Sequence, residues 1–189
     1  GQRMTCGHFI GWQDGAFHPA MLESDLGVSL DGWLAEQIRV PAAALLPVPE
    51  NLGNDDVAAL PAAGVTAWNS LTDAAPLRAG DLVLALGTGG VSIFALQLAK
   101  KHGARVAITS SSDEKLAQMK ALGADITLNY RTQPDWAAAL MAANGGGANI
   151  IIETGGLATL SQSIAAAAPN STIVLIGALG GAGPGADRG

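Results

Sequence analysis

One cysteine, one tyrosine and only ten lysines and arginines occur in this 189-residue sequence, and each scarcity excludes something. A lone Cys6 cannot form an internal disulfide and fits a reducing compartment, so a cytoplasmic location is expected. Ten basic residues against sixteen acidic ones give a net charge of −6. The isoelectric point falls near 4.8. Nucleic-acid binding needs clustered lysine and arginine, so it is not expected. Long apolar runs are also missing. The densest, Val91 to Ala99, is interrupted at Gln97 and stopped by Lys100-Lys101, well short of the roughly 20 residues that span a bilayer. The mean hydropathy of +0.30 comes largely from alanine and short apolar runs, and no membrane partner is expected. Gly1-Gln2-Arg3 carries neither a starting methionine nor a signal pattern, and the chain reads as an excerpt or a processed product.

What is present is 49% hydrophobic residues, enough to form a core, arranged from Asp81 onward as short β-rich runs alternating with helical stretches. Leu82 to Leu86 is apolar throughout, as a strand buried on both faces would be. A helix is predicted from Val91 to His102, ended by Gly103, with Val91, Phe94, Ala95, Leu98 and Ala99 on one face. The cycle continues with strand Arg105–Thr109, helix Asp113–Leu122, strand Ile126–Asn129 and helix Pro134–Ala143. Strand Asn149–Glu153, helix Leu157–Ala168 and strand Thr172–Ile176 follow. This is an α/β doubly wound parallel sheet with five of the six strands of a dinucleotide-binding Rossmann fold. Gly180 to Gly189, a Gly/Ala/Pro stretch, is expected to be a flexible tail. Before Asp81 the pattern changes. Ser29 to Val40 reads as strand or hairpin around Asp31-Gly32, and Asn54 to Ala75 as two helical pieces broken near Pro61 and Gly64.

The turn between the first strand and helix of this repeat reads Gly87-Thr88-Gly89-Gly90-Val91-Ser92. Glycines here allow a tight turn and let the backbone touch a pyrophosphate, which would sit at the positive helix start around Gly90 and Val91. Ser92 takes the third place, where glycine or alanine is usual. About 20 residues on, an NAD-selective domain places a carboxylate on the ribose hydroxyls. Here Ser110 stands there, beside Ser111, Ser112 and Lys115. Hydroxyls and a lysine accept the extra phosphate of NADP, so NADP is preferred over NAD. An alternative is that Ser111 caps the next helix, with Glu114 completing a capping box and Lys115 facing solvent. Both can hold together.

The chain resembles the medium-chain dehydrogenase/reductase superfamily, in its zinc-independent alcohol dehydrogenase and quinone-oxidoreductase-like branch. The resemblance rests on Gly1–Met4, Leu30–Glu36, Leu60–Trp68, Leu86–Gln97, Leu122–Asp125, Asn129-Tyr130 and Glu153–Gly156, in that order. It implies part of a GroES-like β-rich catalytic domain over residues 1–55, a connecting helical segment over 56–80, an incomplete NAD(P)-binding Rossmann domain over 81–179 and a tail over 180–189. It also implies cofactor contacts at Thr66, the loop from Gly89 to Ser92, Ser110 and Lys115, Tyr130, Thr154, Gly155, Gly177 and Ala178. The zinc-bearing branch has a cysteine ligand where this chain has Ala62, and Cys6 with His8 offers too few donors for a tetrahedral site, so no metal is expected. A homodimer is expected for the full-length form.

His8 and His18, among Phe9, Trp12 and Phe17, either line a substrate pocket or cover a β-domain edge, and no catalytic residue is named. Ser161 and Ser163 lie in a helix without a neighbouring base. The leading expectation is an NAD(P)H-dependent oxidoreductase passing hydride between nicotinamide and a small-molecule carbonyl, alcohol, quinone or activated alkene without zinc. The alternative is a non-catalytic dinucleotide-binding fragment or sensing module. A methyltransferase on a similar sheet is disfavoured by the Gly87–Ser92 loop.

Overall fold

The computed structural model describes residues 1–177, which divide into two compact units, Gly1–Val65 and a second that begins at Thr66. The division falls inside the segment 56–80 expected as a connector. Ala178 and the tail Gly180–Gly189 lie outside the described residues.

In the first unit, β1 (Met4–Cys6) pairs antiparallel with β2 (Leu45–Pro47), Cys6 opposite Leu45. The Arg3 guanidinium holds the following turn by donating to the Leu52 carbonyl and to Asn54 Oδ1. The hairpin expected over Ser29–Val40 does not form; one isolated bridge joins Leu26 and Leu30. The reason is local. The Asp25 carbonyl accepts the N–H groups of Val28, Ser29 and Leu30, curling the chain into a tight loop before any ladder can start. Helix α1 spans Asn54–Ala59 and runs into a π turn at Leu60–Gly64. Pro61 has no N–H to give, and the helix loosens into this wider turn rather than stopping.

The second unit opens with α2 (Val65–Thr72, whose first residue ends the first unit) and then alternates strand and helix. Its elements are β3 (Leu82–Ala85), α3 (Gly90–Lys101), β4 (Arg105–Ser110), α4 (Asp113–Ala121) and β5 (Ile126–Asn129). They continue as α5 (Trp136–Asn144), β6 (Ala148–Glu153), α6 (Leu157–Ala165) and β7 (Ala167–Leu175). All five strands are parallel, in the order β5-β4-β3-β6-β7. This is the order of the first five strands of the Rossmann sheet, with its topological switch between β3 and β6.

The all-apolar strands are explained by a core on each face of the sheet. Val83, Ala85, Val106 and Ile108 pack with Ala95, Leu96 and Ala99 of α3 and Leu116 and Met119 of α4. Leu82, Leu84 and Ile151 pack on the other face with Trp136, Ala137 and Leu140 of α5. Two boundaries differ from expectation. Helix α6 stops at Ala165, and β7 starts at Ala167 and bulges between Ala167 and Thr172 before the ladder resumes. At Gly147 a Cβ would stand 2.5 Å from the Ala167 carbonyl carbon. A side chain at that position would clash with the alanine-rich stretch where Ala167 joins the sheet beside Ala148.

Candidate functional site

At the carboxyl ends of β3 and β6 the strand order reverses, and the loops diverge to leave a cleft of about 800 Å³. Gly87, Gly89, Gly90, Val91, Ser92, Tyr130, Thr154 and Gly155 line it. The structure therefore brings together most of the residues singled out from the sequence. Thr66, Thr88, Ser110, Ser111, Lys115 and Gly177 are not among its walls. Thr66 sits in α2, where its carbonyl accepts the Ser70 hydroxyl.

The phosphate loop turns through Gly87 at φ +75°, a conformation side chains resist. Gly89 is different. Its backbone is extended (φ −81°, ψ 177°), and a Cβ added there meets nothing within 4 Å. The protein leaves open space over this residue, as a cradle for a ligand would. Helix starts around the site make the same point. α4 begins under the Ser112 hydroxyl and α5 under the Asp135 carboxylate, but α3 begins at Gly89 with no side-chain acceptor. Its first N–H groups, at the positive end of a 12-residue helix, are left to an anion.

Three hydroxyls fix the loop. Ser92, buried, donates to the Leu86 carbonyl at 2.8 Å, and Thr154 donates to the same oxygen at 2.8 Å from the end of β6. Thr109 accepts the Gly87 N–H at 3.1 Å. The Ser92 hydroxyl is thus engaged inside the fold and does not reach into the cleft. Gly177 follows β7 and crosses so near that a Cβ would stand 2.0 Å from the Thr154 carbonyl oxygen, which explains its glycine.

The serine run resolves differently from the expected cap. β4 continues through Ser110, paired with Asn129, so α4 starts one residue later than a Ser111 cap requires. Ser112 is the N-cap and accepts the Lys115 N–H at 3.3 Å. Position three of α4 is therefore Lys115, and the Ser111/Glu114 capping box does not form. Ser110 is buried, with its oxygen accepting the Ser112 N–H, while Lys115 is exposed.

Sequence reasoning missed Thr109, Pro134, Trp136, Ala158, Thr159 and Gln162, which complete the walls. Gln162 ties α6 to the start of α5, accepting from the Ala137 N–H at 3.0 Å and donating to the Pro134 carbonyl at 3.2 Å. Glu153 was also overlooked: a charged residue closing the apolar run Ile150–Ile152 was the available signal.

The donors for a metal do not assemble. Among the described residues no three His, Cys, Asp or Glu side chains converge. In the first unit, the Cys6 thiol is buried, which pushes its pKa up, and it donates to the Gly7 carbonyl. His8 Nδ1 lies 2.6 Å from Asp25 Oδ1, edge-on to Phe9, in a row of rings continued by Trp12 and Phe17. No helix among the described residues is long and apolar enough to cross a membrane.

Comparison with known proteins agrees with this geometry. Residues 90–186 match the family model described as zinc-binding dehydrogenase. A zinc-type alcohol dehydrogenase-like protein of Schizosaccharomyces pombe is 46% identical over 180 residues, covering 94% of this chain and 52% of its own length. A solved structure from Sinorhizobium meliloti 1021, provisionally named an alcohol dehydrogenase, superposes with a TM-score of 0.87 at 41% identity over 97% of this chain and 56% of that one. The quinone oxidoreductase of Thermus thermophilus, solved also with NADPH, gives 0.70 at 35% identity over 84% of this chain and 51% of that one. The chain spans about half the length of these relatives. With its sheet order, its bare helix start at Gly89 and these matches, the chain belongs to the zinc-binding dehydrogenase family of the medium-chain dehydrogenase/reductase superfamily.

Proposed function

We propose that this chain is the cofactor-binding part of an NAD(P)H-dependent oxidoreductase acting on a carbonyl, alcohol, quinone or activated alkene, and that its chemistry proceeds without zinc. The observation that carries the reading is the cleft at the β3/β6 switch, floored by Gly89 and the uncapped start of α3. The N–H groups of Gly90 and Val91 hold the pyrophosphate. When bound, the dinucleotide supplies or accepts hydride at nicotinamide C4. The protein orients it: Ser92 and Thr154 hold the loop through the Leu86 carbonyl, and Tyr130, Pro134 and Trp136 wall the cleft against water. Ser110 and Ser111 at the end of β4 and Lys115 in the first turn of α4 favour NADP, and Thr66, Gly177 and Ala178 complete the contacts that the family resemblance implies. The zinc-free reading is supported by Ala62 and by the scattered donors of the first unit.

A second reading, a module that binds dinucleotide without turnover, is favoured by one observation. Among the described residues the cleft lining has no His, Cys, Asp, Glu or Lys, leaving Tyr130 as its one ionisable side chain. Two measurements separate the readings. Calorimetry with NADPH and NADH on wild type and Gly89→Val tests the site: the extended backbone and open space at Gly89 accept valine without strain, but its side chain would occupy the pyrophosphate's place. Binding that survives Gly89→Val places the cofactor elsewhere. Steady-state assay with quinones and aldehydes, with and without EDTA, tests turnover and metal. Loss of activity on chelation with stoichiometric zinc in the untreated protein defeats the zinc-free reading, and binding without turnover supports the module.

A further inference from the structure

Glu153 has none of its surface exposed, yet it ends a strand whose preceding three residues are isoleucines. Burying a carboxylate is costly unless every lone pair finds a donor. Here both oxygens find donors, three on Oε1 and one on Oε2, and the donors share an origin. Oε1 accepts the Gly155 N–H at 2.7 Å, the Gly156 N–H at 3.0 Å and the Thr159 hydroxyl at 2.6 Å, while Oε2 accepts the Ser163 hydroxyl. All four come from the turn after β6 and from α6. Among the described residues none comes from the sheet, and no Lys, Arg or His side chain pairs with the carboxylate.

That turn needs holding. Gly156, the N-cap of α6, has φ 76° and ψ −148°, a region open only to glycine, and no side chain of its own to cap the helix. Glu153 reaches back from the strand and takes the N–H groups at and just before that cap. The same turn carries Thr154 and Gly155, two walls of the cleft, and Thr154 in turn bonds the Leu86 carbonyl beside the phosphate loop. The Thr159 hydroxyl, in the first turn of α6, ties the same carboxylate to that helix.

We propose that Glu153 is a positioning residue for the cofactor. Without touching the dinucleotide, it fixes the Thr154–Gly156 turn, and with it the Thr154 bond to the Leu86 carbonyl beside the glycine loop on which the pyrophosphate settles. This rests on the reading of the cleft as an NAD(P) site. It is more than a local stabiliser, because a stabiliser sets the melting temperature, whereas a positioning residue also sets affinity in protein that is fully folded.

The test measures NADPH dissociation constants by fluorescence at a temperature well below each protein's melting transition, for wild type, Glu153→Ala, Glu153→Gln and Glu153→Asp. Alanine removes all four acceptor contacts and is expected to weaken NADPH by about tenfold or more, the scale of losing a buried charged acceptor. Glutamine keeps an amide oxygen for Gly155 and Gly156, and rescue to within about threefold of wild type is expected. Aspartate, one methylene shorter, withdraws from the turn and is expected to behave like alanine, which keeps the test open if the alanine variant does not fold. Folded alanine or aspartate variants with wild-type affinity and only a lowered melting temperature would overturn the assignment. So would a glutamine variant that binds as poorly as alanine. Wild type that binds no NADPH would instead sink the cofactor reading of the cleft, and this role with it.

Discussion

Two hydroxyls on one carbonyl make a quantitative prediction. Ser92 and Thr154 both donate to the Leu86 oxygen at 2.8 Å, from α3 and from the end of β6. Replacing either alone, by Ser92→Ala or Thr154→Val, removes one hydrogen bond but leaves the acceptor satisfied by the other. Each single change is expected to cost about 1 kcal/mol. The double variant leaves the carbonyl with no partner, and the second removal adds a desolvation penalty of roughly 1–3 kcal/mol. The double change should therefore exceed the sum of the singles by roughly 1–3 kcal/mol, a coupling that a double-mutant cycle resolves. Urea unfolding followed by far-UV circular dichroism on the four proteins measures it. Additivity to within about 0.3–0.5 kcal/mol would refute the reasoning, because it would mean that water reaches the Leu86 oxygen and replaces the hydroxyls.

Ser110→Asp is expected to weaken NADPH far more than NADH, since it sets a carboxylate against a phosphate carrying about −1.5 to −2 charges. Lys115→Ala should weaken NADPH by about 1 kcal/mol or less because the side chain is exposed and screened. Calorimetry with both cofactors checks the pair, and an unchanged NADPH/NADH ratio would leave the serines with a capping role alone. Asp125 gives a pH dependence. Burial raises its carboxyl pKa, but the Val106 N–H, the Lys100 ammonium and the Arg105 charge outweigh this and hold it below the ordinary aspartate value of 3.8. The native state thus prefers the charged form, and this stability is present above about pH 4 and lost as pH falls through the folded-state value. Asp125→Asn should lower the melting temperature at pH 7 and narrow its difference from wild type in acid. A difference that does not change with pH would contradict this.

The sheet was legible because its strands are short apolar runs closed by punctuation. β5 ends where Ile126–Asn129 predicts, and β3 falls one residue short of Leu86. The errors lie where tertiary contact chose among local options. The capping-box spacing pointed to Ser111, and the pairing of Ser110 with Asn129 carried the strand one residue further and left Ser112 as the cap. Ala165–Ala168 has the composition of a helix, yet α6 ends at Ala165 and Ala167 pairs with Ala148 of β6, close to the bare backbone of Gly147. Asp31-Gly32 has true turn chemistry, yet no ladder flanks it, because the Asp25 carbonyl gathers the preceding N–H groups. In the cleft, the loop glycines were readable from spacing. The walls at Thr159 and Gln162 were not, since they come from a helix on the opposite face of the sheet, far from the loop in the chain, and only the crossover to β6 brings them near.

That crossover has a consequence for synthesis on the ribosome. β3 gains β4 as its first neighbour, and β5 then pairs on the far side of β4, but the other edge of β3 stays open until Ile150–Ile152 have been made to pair with Val83–Ala85. An open edge on a strand apolar on both faces lasts for 67 residues of chain, from Val83 to its partner Ile150, a feature that favours aggregation or chaperone capture during synthesis. On the proposed reading of the cleft as the dinucleotide site, walls as late as Gln162 complete it only after β6 has been made, so cofactor would stabilise the finished fold by mass action rather than template it.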